Sequence, residues 1–453
     1  MAPAFSPVAD FQLLERLWRD PVDRTVLPNG LTLILKPDAA APVASVQVWV
    51  KTGSQHEGAH LGAGLSHYLE HMLFKGTERR AGREISTTVQ AHGGYINAYT
   101  TFDRTVYYID IPPAHIGLAI DVLADAVLNS TLPPDEVEKE KQVILREIDM
   151  GLDDPDHRLW QALFETAFRE HPYRQPIIGH RDVFAAVDRN ALLAYYRERY
   201  VPNNLVVIVA GGFEPDAVRA AVEAHFGSAP RKRLAAVYLP EEPPALAPRQ
   251  RNLFEDVEVV RGSLAWPVPG LAHADAAALD VLAMVLGHGD SSILWQALRE
   301  KARVVHSVDA SNWNPGTNGL FTVSFTCDAG GGDVAIRGVE RTLVTVARRG
   351  FTVAQVRKAI RQLVVSEVNG RKTVAGQAAR LGVAEVVVGD LDFGRTYFER
   401  VQRVTPAELR RVLRDYLVPT RRTTVTLQPK AGPAAAPAPS NRGRRDGEFT
   451  EET

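Results

Sequence analysis

The sequence predicts an α+β fold of two similar domains, each an antiparallel-rich sheet packed with helices. Its 453 residues are too many for one ordinary domain and suit two of about 200 residues each. An internal repeat relates residues 187–209 to residues 404–427, and the two copies lie 217 residues apart, close to half the chain. Because repeats indicate architecture, we expect both halves to fold alike.

Each copy of the repeat carries the same local signals. A polar residue, Asp188 or Thr405, stands where a helix N-cap is expected. The helix ends at a Val-Pro step, with Pro202 in the first copy and Pro419 in the second, and a β-rich run follows. We therefore predict a helix and then a strand in each half.

The first half opens with two predicted strands. Residues 31–35 alternate in hydrophobicity and residues 42–50 are rich in β-branched side chains, which together favour an opening hairpin. Residues 62–75 change to helical spacing, with Gly76 where a helix C-terminus is expected. A long helix rich in Glu and Lys is predicted over residues 134–150.

A proline-rich stretch, residues 239–251, is predicted to link the domains, because its prolines favour an extended and stiff chain. The N-terminal domain is then residues 1–238 and the C-terminal domain is residues 252–428. Residues 429–453 are rich in Pro, Ala and charge, so we expect a disordered tail without a catalytic role.

Composition narrows the function. With 45% hydrophobic residues, 23% charged residues and a formal net charge of -2, nucleic acid is not an expected partner. The single cysteine, Cys327, excludes a disulfide framework and a Cys-rich zinc module, and we expect it to pack in a core. No stretch approaches the roughly 18 apolar residues of a membrane span. The N-terminus lacks a signal-peptide pattern, which predicts a cytoplasmic location, or a periplasmic one if a leader has been removed.

One short motif has the spacing of a metal site. His67, Glu70 and His71 fall at i, i+3 and i+4 of a predicted helix, so their side chains share one face. Two imidazoles on one face can meet one zinc ion, and Glu70 between them could hold the attacking water. The alternative is a helix with ordinary exposed or buried histidines beside a surface glutamate. This alternative is disfavoured, because the core-facing stripe of the helix is already supplied by Leu65, Leu69, Met72 and Leu73.

The segment G-L-S-H-Y-L-E-H-M-L-F-K-G-T, residues 64–77, resembles the zinc helix of the pitrilysin/insulinase metallopeptidases, in particular short bacterial members and mitochondrial processing peptidase subunits. The resemblance implies a third ligand, Glu147, which follows His71 by 76 residues, and a supporting carboxylate seven residues earlier, Glu140. Seven residues are nearly two helical turns, so both should line one face. Without the resemblance, glutamates in this run would be interpreted as a solvated face.

Two further segments resemble substrate-binding parts of that family. Residues 93–108 are similar to a strand beside the metal, where Asn97 and Ala98 match positions that contact the substrate backbone; the alternative is an ordinary hairpin. Residues 287–308 are similar to a segment that ends in an arginine and a tyrosine. Arg299 matches the arginine, but His306 stands at the tyrosine position.

The resemblance implies a zinc endopeptidase. The second half of the sequence has no H-x-x-E-H motif of its own, so we expect one zinc ion per chain. Zinc on His67, His71 and Glu147 would activate a water, with Glu70 as general base, to cleave extended or unfolded peptides. The chain would form half of a clamshell, completed in a homodimer or in a heterodimer whose paralogue supplies the arginine-tyrosine pair. Alternatives are a non-catalytic scaffold or accessory subunit, and a storage or structural zinc site.

Overall fold

The computed structural model describes Trp18 and residues 21–430 of the chain. The predicted disordered tail lies outside the described residues except for its first two, and Pro429 ends the last strand. None of the helices in the described part has the length and apolar character that a membrane crossing requires.

The first half contains a six-stranded mixed sheet with the order β1-β2-β6-β3-β5-β4. Its strands are β1 (Asp23–Val26), β2 (Thr32–Pro37), β3 (Ala44–Val50), β4 (Tyr95–Thr100), β5 (Thr105–Ile111) and β6 (Leu205–Gly211). Its helices are α1 (Leu65–Met72), α2 (Gly82–Ala91), α3 (Ile116–Asn129), α4 (Pro134–Asp153), α5 (Pro155–Ala167), α6 (Arg181–Ala185), α7 (Arg189–Arg199) and α8 (Pro215–Phe226).

The predicted opening hairpin is wrong, because β2 and β3 do not pair with each other. Strand β6 lies between them and pairs parallel with β2 and antiparallel with β3. Every residue of β6 is buried, and an apolar strand of this kind is stable only where both faces of the sheet are covered. It therefore occupies the sheet centre, and β2 finds its antiparallel partner in β1.

The second half contains a five-stranded sheet with the order β7-β11-β8-β10-β9. Its strands are β7 (Arg249–Glu255), β8 (Val260–Pro269), β9 (Ser307–Trp313), β10 (Asn318–Cys327) and β11 (Thr423–Pro429). Its helices are α9 (Ala276–Gly287), α10 (Gly332–Arg349), α11 (Val353–Gly370), α12 (Val374–Val383), α13 (Phe393–Arg403) and α14 (Pro406–Tyr416). Cys327 is buried in the core of this half, as expected.

The two copies of the repeat occupy equivalent places, which confirms two similar α+β domains. Asp188 caps α7 by accepting a hydrogen bond from the Ala191 amide, and Thr405 caps α14 in the same way through the Glu408 amide. Strand β11 pairs parallel with β7 and antiparallel with β8, as β6 does with β2 and β3. The 217-residue spacing thus relates whole sheets and not only one helix.

The halves are joined by an exchange of helices. Helix α5 of the first half packs on the second sheet, where Leu163 shares a buried cluster with Leu427. Helix α12 of the second half packs on the first sheet, where Leu381 shares a buried cluster with Trp49. The two helices are also equivalent in the repeat, so each domain covers one face of the other.

The segment between the halves is extended. Residues 230–246 form neither helix nor strand, and β7 begins at Arg249, inside the predicted linker of residues 239–251. The Glu242 carboxylate accepts hydrogen bonds from three consecutive backbone amides, those of residues 169–171. The connection is therefore anchored to the first half along its course.

Candidate metal centre

A buried carboxylate holds the N-terminus of helix α1. Glu57 accepts hydrogen bonds from the backbone amide of Gly64, at 3.0 Å, and from that of Ser66, at 2.9 Å. Burial raises the pKa of Glu57 to about 7. Gly64 has a φ of 71°, and a Cβ there would lie 2.1 Å from the carbonyl oxygen of Ile178. Only glycine fits, so the entry into this helix is tightly specified.

The predicted core stripe of α1 is confirmed, because its four apolar residues are fully buried. Tyr68 adds a link to α4, since its hydroxyl donates to the carbonyl of Val137 at 2.5 Å. The motif residues His67, Glu70 and His71 are partly buried. Packing of α1 against α4 therefore leaves these three side chains at the edge of the core, within reach of solvent.

Helix α4 brings a carboxylate to the two histidines. Ligand atoms of His67, His71 and Glu147 all lie within 4.8 Å of one another. His67 Nε2 is 3.8 Å from Glu147 Oε1, and His71 Nε2 is 3.6 Å from Glu147 Oε2. Buried Ile144 and Ile148 seat α4 on the core, which turns Glu147 toward α1.

The chemistry of these donors fits zinc. Two imidazole nitrogens and a carboxylate oxygen are the donors that zinc accepts in catalytic sites. Burial, with a further contribution from His71, lowers the pKa of His67 to about 3, so its imidazole is neutral, as a metal ligand must be. A zinc ion would be held by His67, His71 and Glu147. The metal-binding role of the three residues stays a prediction.

Glu140 lies behind His71. Its Oε2 is 3.1 Å from His71 Nδ1, and its Oε1 accepts a hydrogen bond from Lys75 Nζ at 2.6 Å. Because a carboxylate accepts hydrogen bonds, the proton of His71 is held at Nδ1 and the lone pair at Nε2 faces Glu147. Glu140 is only 8% exposed. The structure thus places Glu140 behind His71, in contact with its Nδ1, and a role for Glu140 in positioning His71 stays a prediction.

Glu70 is held beside the same site by the first sheet. The Thr100 hydroxyl donates to Glu70 Oε2 at 2.6 Å. Burial raises the pKa of Glu70, and the hydrogen bond from Thr100 and the nearby His71 oppose that rise. Thr100 is the last residue of β4, so the end of this strand directly contacts the motif.

Strand β4 forms one edge of the six-stranded sheet, where β5 is its neighbour. Asn97 and Ala98 lie in this strand, as the resemblance requires, and Asn97 Oδ1 accepts a hydrogen bond from the Ala98 amide at 2.9 Å. Asn97 also donates to the Tyr95 hydroxyl at 2.7 Å. An edge strand presents unpaired backbone groups, so the location suits pairing with an extended chain. The substrate contacts themselves stay a prediction.

Two open cavities flank the histidine-glutamate triad. The first, the Glu70 cavity, measures about 880 Å³ and is lined by Glu70, His71, Phe74, Asn97 and Ala98 among others. The second, the Trp160 cavity, measures about 1000 Å³ and is lined by His67, Thr100, Glu147 and Trp160 among others. The four motif and ligand residues are therefore divided between two adjoining spaces.

Arg299 and His306 lie elsewhere. They line neither cavity, and they neighbour β9, the edge strand of the second sheet. Arg299 Nε donates to the His306 carbonyl at 3.1 Å, and His306 Nε2 is 3.0 Å from an Asp328 carboxylate oxygen. Within the described chain, the structure does not bring this pair to the triad. Their role in substrate binding stays a prediction.

The second half lacks an equivalent set of donors. At the 217-residue spacing, Met284, Gly287 and Val364 stand in place of His67, Glu70 and Glu147, and only the position of His71 keeps a histidine, His288. Among the described residues, the histidine-glutamate triad is the only group of three or more His, Cys, Asp or Glu side chains close enough to share a metal ion. The expected single zinc ion per chain stays a prediction.

Sequence reasoning did not identify Glu57, Lys75 or Thr100. Each acts through a partner that is distant in the chain or in another element, and a single sequence contains no spacing rule that marks them. A glutamate that caps a helix can be recognised in a sequence when it has capping-box spacing. Glu57 lies too far before the helix start for that spacing, so no sequence signal marked it.

Comparisons with family models, with individual proteins and with solved structures all find matches. The sequence matches the family model described as insulinase (peptidase family M16) over residues 32–181 and the one described as peptidase M16 inactive domain over residues 186–363. An uncharacterized zinc protease of Mycobacterium leprae is 33% identical over 92% of this chain and 94% of that protein. A probable mitochondrial-processing peptidase subunit beta of Arabidopsis thaliana is 26% identical over 87% of this chain and 76% of that protein. The crystal structure of a Helicobacter pylori protease superposes with a TM-score of 0.85, at 26% identity, over 90% of this chain and 100% of that chain.

Proposed function

The chain belongs to peptidase family M16, the insulinase family, and from that premise we propose that it is a zinc-dependent endopeptidase acting on extended or unfolded peptides. One observation carries the proposal. His67, His71 and Glu147 converge within 4.8 Å, and Glu70 is hydrogen-bonded beside them by Thr100. This combination provides a three-donor metal site and a separate carboxylate.

Each residue has a distinct part in the proposed reaction. Zinc, when bound, would supply a more acidic water and a polarised substrate carbonyl. Glu70 takes a proton from the attacking water and delivers it to the leaving amine. Thr100 fixes one oxygen of Glu70, which limits the rotation of that carboxylate. Glu140 holds the proton of His71 at Nδ1.

The edge strand β4 explains the preference for extended chains. A peptide that pairs with β4 places its backbone along Asn97 and Ala98, which line the Glu70 cavity. Pairing of this kind uses main-chain hydrogen bonds. A folded segment has already used those groups internally, so it cannot pair until it unfolds.

The substrate-binding pair of the second half supports a dimer. One chain forms half of a clamshell, and Arg299 and His306 line neither cavity of their own chain. We infer that a second copy, or a paralogue with an arginine and a tyrosine, faces the metal centre and completes it. Activity per chain is then expected to rise with chain concentration, as dimers form.

A non-catalytic accessory subunit is disfavoured by Glu70. A scaffold requires no carboxylate beside a metal site, and a closed structural zinc site would use its fourth position for a ligand. The separate placement of Glu70, held by Thr100 instead of by the histidines, is therefore the feature that distinguishes a peptidase from both alternatives.

Metal analysis and peptide cleavage of the wild type and Glu70→Gln test the proposal. We expect both proteins to bind zinc, and cleavage of an unstructured peptide to fall at least about 100-fold in the variant. Glu138→Gln is the matched control, because Glu138 is exposed on α4, and it should cleave like the wild type. Equal cleavage by the wild type and Glu70→Gln would contradict the assignment of the base.

A further inference from the structure

The Trp160 cavity has no part in the proposed proton transfer, yet it adjoins the metal centre through His67 and Glu147. Its rim contains large apolar side chains that are exposed to solvent: Met150 is 71% exposed and Val183 is 45% exposed. Trp160 is 40% exposed, close to the value for Val183. Several such residues around one concave space indicate a binding site, because isolated chains seldom leave apolar clusters open to water.

The floor of the cavity is a stack of aromatic rings. The Phe102 ring lies 4.7 Å from that of Tyr173 and 6.0 Å from that of Phe164, centroid to centroid. All three rings also contact Trp313 of the second half. Because residues of both domains hold these rings, the floor is fixed before any ligand arrives.

Three of the charged side chains that line this cavity already have hydrogen-bond partners. Arg181 bonds to Asp149 at 2.8 Å, Arg174 donates to the Arg169 carbonyl at 2.9 Å, and Asp154 caps α5 through the Asp156 amide. A charged ligand group would have to displace these partners. The free surface that the cavity offers is mainly apolar.

Strand β4 passes from one cavity to the other. Asn97 and Ala98 line the Glu70 cavity, whereas Thr100 and the following Phe102 line the Trp160 cavity. Strand β4 already pairs antiparallel with β5, and antiparallel pairs are the commoner kind in proteins. An antiparallel peptide on β4 therefore has its N-terminal part beside Thr100 and its C-terminal part beside Asn97.

We propose that the Trp160 cavity is a specificity site, which takes a large apolar side chain from the part of the substrate N-terminal to the cleaved bond. The inference rests on the proposed peptidase function and adds the substrate class. Phenylalanine, leucine, methionine and tryptophan have the size and apolar surface that this cavity accepts. Serine or aspartate at the same position leaves the apolar rim in water and gains nothing from the aromatic floor.

Cleavage mapping with matched peptides tests the proposal. Two unstructured peptides are compared that differ only by phenylalanine or serine just N-terminal to the main cleavage site, with products identified by mass spectrometry. We expect the wild type to cleave the phenylalanine peptide with a kcat/KM about 10–100-fold higher. Val183→Glu and Met150→Glu should reduce this preference at least about tenfold while zinc content is unchanged.

The control is Val344→Glu, because Val344 is 46% exposed and lies on α10 of the second half, away from the Trp160 cavity. It should keep the wild-type preference. An unchanged preference in both cavity variants, or an equal change in Val344→Glu, would overturn the proposal. So would a preference C-terminal to the cleaved bond. Cavity variants that change the oligomeric state by light scattering but not the cleavage pattern would show an interface between copies instead.

Peptide binding separates this proposal from the peptidase function. Fluorescence anisotropy of the two labelled peptides with Glu70→Gln measures binding without cleavage. Stronger binding of the phenylalanine peptide that is lost in Glu70→Gln combined with Val183→Glu supports the cavity even if the wild type cleaves nothing. Equal binding of both peptides to Glu70→Gln refutes the cavity even if the wild type is an active peptidase.

Discussion

Replacing Glu140 by glutamine tests how the candidate metal centre is assembled. Glu140 accepts at both oxygens, from His71 Nδ1 and from Lys75 Nζ. Glutamine offers one acceptor oxygen and one donor nitrogen. If the glutamine oxygen faces His71, the glutamine nitrogen faces the ammonium of Lys75. If the side-chain amide is turned the other way, the glutamine nitrogen faces the N–H of His71. Either way, one partner loses its hydrogen bond.

The expected loss is in metal affinity. Removing a group that orients a metal-bound histidine typically weakens metal binding by about 10–100-fold, which corresponds to about 1.4–2.7 kcal/mol. We expect Glu140→Gln to fall in this range, because Glu140 is 8% exposed and water can replace the lost bond only in part. The Lys75 side chain is 33% exposed, so its lost ion pair adds little.

The assay is a competition titration of zinc against a chromophoric chelator, with circular dichroism to verify that each variant is folded. Glu138→Gln is the control, since Glu138 is exposed on the same helix and carries the same change of charge. A zinc affinity of Glu140→Gln within twofold of the wild type would refute the reasoning. An equal loss in the control would do the same, because it would show a general effect of charge.

Three further predictions concern stability. Glu57→Ala should lower the free energy of unfolding by about 1–3 kcal/mol, measured in urea at about pH 5, below the raised pKa of Glu57, because the two backbone amides that Glu57 binds at the start of α1 then lose their acceptor. Gly382→Ala should destabilise by about 1–3 kcal/mol, because a Cβ there would lie 2.2 Å from the Trp49 ring across the domain contact; Gly117→Ala, where a Cβ meets nothing within 4 Å on helix α3, should instead stabilise by about 0.5–1 kcal/mol. Burial raises the pKa of Asp280 from 3.8 to about 6, so between these pH values the folded state keeps a proton that the unfolded state has lost, and stability falls as pH rises. Asp280→Asn removes this ionisable group, so the stability of the variant relative to the wild type should rise by up to about 3 kcal/mol from pH 4 to pH 7; a difference between the two proteins that does not change with pH would contradict the assignment.

The motif helix and the repeat were predictable because both are local. The i, i+3, i+4 spacing places three side chains on one face of any helix, and this held for His67, Glu70 and His71. The cap and Val-Pro signals predicted a helix and a strand at both ends of the 217-residue repeat, and the structure confirms them. The family resemblance added Glu147, whose convergence with the histidines no local pattern contains.

Strand order was not predictable, and the opening hairpin shows why. Residues 31–35 and 42–50 have the signals of neighbouring strands, but the strand between them comes from Leu205–Gly211, more than 150 residues later in the sequence. A strand's own pattern reports how deeply it is buried and not which strand buries it. Partner choice depends on long-range packing that a local window cannot contain.

The sequence by itself determined the two-domain architecture, the motif helix and the residue types that could hold zinc. Tertiary structure alone decided that Thr100 contacts Glu70, that Glu140 bridges His71 and Lys75, and that an apolar cavity adjoins the triad. Tertiary structure also placed Arg299 and His306 away from it. The physical reason is the range of the forces: helical periodicity and capping act over a few residues, whereas these contacts depend on how helices and sheets distant in the chain pack together.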